Sequence, residues 1–133
     1  MKFKNNLLIA FFFVLLLLTS CGDDEPNSKN PLVGTKWVCD NSYAAYIYSG
    51  LEGETYVEVW EFITDTKDRH YFQSTKTGEK GSIVDGTYEY VNDQYFYFIG
   101  DDGKKTMWYF LSSTEFCNNK DKTESWSSVF KKQ

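Results

Sequence analysis

Residues 95–112 read YFYFIGDDGKKTMWYFLS. Tyr95–Ile99 is a continuous aromatic run, and Lys105–Ser112 is a second run of strand-forming residues. Asp102-Gly103 lies between them, and Asp-Gly favours the tight hairpin turn whose central residues need positive φ. The segment therefore predicts two antiparallel strands. The same grammar extends in both directions. Upstream, Ser82–Val91 (SIVDGTYEYV) is a strand closed by Asn92-Asp93, with Gly86 as a bulge or a close approach. Residues 77–81 turn the chain out of Arg69–Thr75 (RHYFQST), and Thr64–Asp68 turns it out of Thr55–Ile63 (TYVEVWEFI). The first strand falls at Thr35–Asp40. Tyr43–Tyr48 (YAAYIY) reads as an extension of it, as cover over a barrel end or as a short helix, and a two-glycine loop follows at 49–54. Downstream, Ser113–Cys117 turns and starts another strand, residues 118–125 form a polar loop, and Trp126–Lys131 is the last strand. No stretch after Leu32 shows a convincing helical period.

About eight short strands joined mostly by tight turns make an antiparallel meander, because a parallel pair needs a long crossover. Such a sheet leaves two edges unless it closes, and an up-and-down barrel removes both. The predicted fold is all-β, an eight-stranded antiparallel up-and-down barrel. A sandwich is the alternative, but only 49–54 and 118–125 are long enough for its connections. Aromatic residues make up 19% of the chain, too many to be incidental. The expected core is Trp37, Trp60, Phe62, Tyr88, Phe96, Phe98, Trp108 and Phe110. Tyr95, Tyr97 and Ile99 fall on the opposite face of their strand, as do Met107, Tyr109 and Leu111, so either the barrel carries an outer aromatic patch or a loop or partner covers it.

The start of the chain differs in kind. Lys2 and Lys4 precede an unbroken apolar run, Leu7–Leu18, and then Thr19-Ser20-Cys21. The run is shorter than the roughly 20 residues a membrane-crossing helix needs. It has the layout of a cleaved export signal. Leu17-Leu18-Thr19-Ser20-Cys21 resembles a bacterial lipobox, which implies cleavage before Cys21 and acylation of that cysteine. The organisation is then a signal peptide (1–20), a lipidated Cys21 with a flexible tether (21–31) and one domain (32–133). More than one acyl chain makes anchoring stable. Gly22-Asp23-Asp24-Glu25 resembles the surface-export tag of lipoproteins in one Gram-negative lineage, so the expected address is the outer membrane, on the cell surface.

The domain itself resembles small lipocalin-like lipoproteins. Leu32-Val33-Gly34-Thr35-Lys36-Trp37 resembles their opening, Val59-Trp60-Glu61-Phe62 their Trp-x-Phe strand, Gly86-Thr87-Tyr88 their mid-barrel strand, and residues 110–116 their penultimate hairpin. The resemblance implies a barrel that takes one small apolar or amphipathic ligand. Trp37, Glu58, Trp60, Phe62 and Trp108 are the candidate lining.

Chemistry-bearing motifs are sparse. No nucleophile elbow, zinc-protease helix, phosphate loop or dinucleotide fingerprint occurs, and the reading is of a protein without catalysis, cofactor or metal. His70, the single histidine, is read as a surface or packed residue. Glu58 shares a strand face with Trp60 and Phe62; it either lies inside the barrel near its mouth, where it could orient a ligand, or sits at the rim in water. A net charge of −5 fits neither a phosphate backbone nor an anionic lipid surface. Besides Cys21, Cys39 and Cys117 form an even pair, which either closes a disulfide or packs as two buried thiols. Two functions remain: a monomeric lipoprotein with a ligand in its barrel, or a module with a filled barrel that binds a glycan or envelope protein through outer aromatics.

Overall fold

The computed structural model describes residues 30–119 and 127–133. The expected leader, Cys21 and the tether as far as residue 29 lie outside the described residues, as does Trp126. Eight antiparallel strands close into a barrel in sequence order: β1 (Lys36–Cys39), β2 (Tyr56–Phe62), β3 (Lys67–Ser74), β4 (Lys80–Tyr90), β5 (Tyr95–Ile99), β6 (Lys105–Ser112), β7 (Glu115–Cys117) and β8 (Val129–Lys132). The up-and-down barrel predicted from the sequence is therefore the fold. The hairpin of residues 95–112 has the predicted limits: Phe96 pairs with Trp108, Ile99 with Lys105, and Gly103 has φ +76° in the turn. The seam is short. Trp37 and Val38 of β1 pair with Lys132 and Lys131 of β8.

Of the three readings open to Tyr43–Tyr48, the structure takes the short helix and extends it. Helix α1 spans Tyr43–Glu52, absorbing part of the expected 49–54 loop. Its signals are local. The Ser42 hydroxyl caps its start by accepting from the Ala45 N–H (3.2 Å), and Gly53 ends it in the left-handed region at φ 74°. Ala45 is buried, Tyr48 is half-buried, and Tyr43, Tyr46, Ile47 and Leu51 face outward. Five of its seven apolar positions point to water, so the inward period is too thin to read as amphipathic.

Gly86 proves to be a close approach. A Cβ there would lie 2.7 Å from Asp68 Oδ1 and 3.1 Å from a Phe98 ring carbon. The register shifts fall elsewhere, between His70 and Phe72 and between Phe110 and Ser112.

All eight expected core residues pack together. Trp37, Trp60, Phe62, Tyr88 and Phe96 are buried; Phe98, Trp108 and Phe110 are partly buried against them. Leu32, Phe116 and Phe130 complete the core, each 0% exposed. Leu32 closes the base, where Asn30 donates to the Tyr88 hydroxyl (2.8 Å) and that hydroxyl donates to Thr64 O (2.7 Å). Because strands alternate in direction, α1 lies at the mouth, the end opposite the base where residue 30 joins the barrel.

Candidate functional site

The mouth is built by α1 resting on β2. Tyr48 stacks on Phe72 (centroids 4.5 Å) and meets Tyr56 edge-on (4.9 Å). The Ser49 hydroxyl accepts from the Tyr56 N–H at 2.9 Å. Glu58 faces the interior beneath the helix. Its carboxylate accepts from the Ser42 hydroxyl and, at 3.2 Å, from Trp60 Nε1. Of the two positions open to it, Glu58 thus takes the inner one, half-buried near the mouth. Its lone pairs serve the helix cap and the central indole.

Below Glu58 the barrel is filled. The Trp60 indole has the rings of Phe62, Phe96, Phe98, Trp108, Phe116 and Phe130 at centroid distances from 4.9 to 6.3 Å. Trp37 lies toward the base, against Phe116 (4.9 Å), with its Nε1 donating to Thr35 Oγ1 (2.7 Å). The five candidate lining residues share one interior, but aromatic side chains occupy the space between them.

Among the described residues four buried side-chain polar atoms lack a hydrogen-bond partner, Ser127 Oγ and three on one pair inside the barrel. Asp68 and His70 point inward from β3; both Asp68 carboxylate oxygens and His70 Nδ1 are buried without a hydrogen-bond partner. Asp68 Oδ2 is 3.7 Å from His70 Nδ1, beyond hydrogen-bonding distance. His70 packs against Trp60 and Phe98, both at 5.9 Å. Among the described residues no three metal-ligating side chains come together.

Cys39 and Cys117 are buried thiols with no bond between them. Their partners differ: Cys39 Sγ donates to Asn41 Oδ1 (3.0 Å), Cys117 Sγ to Asn118 Oδ1 (3.5 Å). Burial pushes the Cys39 thiol up to about 12 from 9.0.

The expected outer patch is partly covered by its own neighbours. Tyr95 and Tyr97 meet edge-on at 5.6 Å, both half-buried, and Lys105, paired with Glu89, sits 5.4 Å over the Tyr97 ring. The exposed tyrosines are instead on α1. Tyr43 is 66% and Tyr46 73% exposed, their rings 6.4 Å apart and 24° from parallel. They flank an open groove of about 920 Å³, bordered also by Asp40, Asn41, Glu54 and Thr55. The signal for this site was the YAAYIY run itself, once a helix separates its inner from its outer residues. Tyr56 borders the same groove. Its hydroxyl donates to Glu54 (2.9 Å), and that bond holds its pKa up at about 12, so it remains a neutral phenol.

The fold defines a closed eight-stranded antiparallel barrel with one helix over its mouth. No family model, no curated protein and no solved structure matches the chain.

Proposed function

We propose that this is a non-catalytic, lipocalin-like lipoprotein of the outer membrane, anchored through acylated Cys21 and exposed at the cell surface as a monomer. It serves as an interaction module whose binding end is the α1-covered mouth. Of the two functions read from the sequence, a ligand inside the barrel and a partner outside it, the ring-filled interior supports the second. The observation that carries the proposal is the exposed Tyr43–Tyr46 pair beside a groove at the end farthest from the anchor. The geometry suits that role. Eight residues of sequence (22–29) separate Cys21 from Asn30, a reach of at most about 30 Å. The chain enters the barrel at its base, so the mouth is the end away from the attachment point.

Native mass spectrometry of the fragment Gly22–Gln133, purified gently, tests the choice between the two. The bare chain mass is expected. A retained small molecule would overturn the filled-barrel reading and identify the internal ligand. Fractionation of cells carrying Cys21→Ala tests the anchor: the variant leaves the membrane fraction or stays unprocessed, and a cleaved variant still in the membrane would overturn it.

A further inference from the structure

We propose that the groove beside α1 binds a neutral carbohydrate chain, with Tyr43 and Tyr46 as the stacking platform. The inference rests on the mouth being the binding end and names what binds there.

Three observations carry it. The first is the pair of rings, nearly parallel and largely in water. A tyrosine ring is amphipathic, and two of them presented side by side suit a partner that is apolar on one side and polar at its edge. A sugar ring has that form: a face of C–H bonds and a rim of hydroxyls. The second is the polar border. Asp40 and Glu54 offer carboxylate oxygens, which form the stronger, charge-assisted hydrogen bonds with hydroxyl donors, and Thr55 adds a hydroxyl. The third is the sign of the charge. Among the described residues no Lys or Arg borders the groove, and its charged border is the carboxylates of Asp40 and Glu54, which disfavour phosphorylated, sulfated or uronic-acid chains. Hydroxyl-rich, uncharged chains are what remain compatible with both the rings and the acids.

A protein partner fits less well. A ten-residue helix is about 15 Å long. It presents far less than the roughly 800 Å² per partner of a stable protein interface. The groove is open to solvent and its volume of about 920 Å³ is ample for a few sugar rings.

The test uses the full-length protein in detergent, titrated calorimetrically and by saturation-transfer NMR. The probes are neutral hexasaccharides of glucose, mannose, galactose and xylose, with hexagalacturonate and hexalysine as charged controls. At least one neutral chain binds, its saturation comes from tyrosine ring protons, and Tyr43→Ala or Tyr46→Ala each weakens it at least tenfold. Tyr46→Phe retains binding, and Tyr95→Ala on the outer wall leaves it unchanged. Both α1 tyrosines are exposed, so an unchanged melting temperature shows that these variants still fold. Neutral binding that survives the double alanine variant overturns the proposal, as does binding of hexagalacturonate alone. Binding of hexalysine alone, lost in Tyr43→Ala, overturns the carbohydrate but keeps the mouth as the binding end. No binding by any probe overturns both.

Discussion

Asp68 and His70 are the residues at which this barrel departs most from an apolar core. Three of their buried polar atoms make no hydrogen bond, and their mutual contact at 3.7 Å is too long to replace one, a cost that the surrounding rings do not return. Replacing both residues by apolar ones, Asp68→Val with His70→Phe, is therefore expected to leave stability unchanged or to raise it by about 1–2 kcal/mol. The midpoint of urea unfolding measures this. A loss above about 2 kcal/mol would contradict the reading of the pair as unsatisfied. Cys39 yields a pH dependence with a definite sign. Its folded pKa, about 12, lies above its unfolded value of 9.0. Between those values the unfolded chain gives up a proton that the native state keeps, so stability is fully present below pH 9 and falls as pH rises toward 12. Tyr88, pushed up by burial to about 12, adds the same sign above pH 10. Urea midpoints from pH 7 to 10.5 should be level to about pH 9 and then decline, less steeply in Cys39→Ala. An identical profile in that variant would contradict a buried, protonated thiol.

Among the elements, α1 is held by the fewest attachments. It touches chiefly β2, and its cap is shared: one hydroxyl, on Ser42, accepts from Ala45 N–H and donates to Glu58. Ser42→Ala removes both bonds, with an expected cost of about 1–2 kcal/mol. Amides of α1 should then exchange faster than those of the strands. Ser42→Asp separates the two functions. Aspartate caps helices as well as serine does, yet here it would face the Glu58 carboxylate, so it should destabilise as well. If Ser42→Asp matched the parent protein, Glu58 would not hold the helix. Gly81 gives the helix room on its other side, since a Cβ there would run into the Tyr48 hydroxyl.

For the whole molecule the controlling feature is closure. β8 is only four residues long, yet it completes the seam and supplies Phe130, stacked on Phe116 at 5.0 Å. The Gln133 N–H donates to Lys36 O beside it. Deleting residues 129–133 exposes the edges of β1 and β7 and opens the core, so the truncated chain is expected to aggregate or to lose its cooperative unfolding transition. Light scattering and a thermal scan decide. A soluble, cooperative, monomeric product would show that the other strands suffice.

The sequence by itself determined the barrel. Alternation with period two, aromatic runs and short turns such as Asp102-Gly103 act between neighbours in the chain, so strands, pairing order and the interior faces of Trp60, Phe62, Tyr88 and Phe96 were legible. The helix was open only as one of three readings of Tyr43–Tyr48, because an outward-facing run of tyrosines conceals its inward period. Only the tertiary structure decided the rest. Whether Glu58 faced a ligand or a helix cap depended on where α1 settled. Whether the interior was hollow depended on how rings from all eight strands filled one volume. The orphaned Asp68 and His70, the separate thiols and the exposed Tyr43–Tyr46 pair are likewise products of packing between distant segments, which no local pattern encodes.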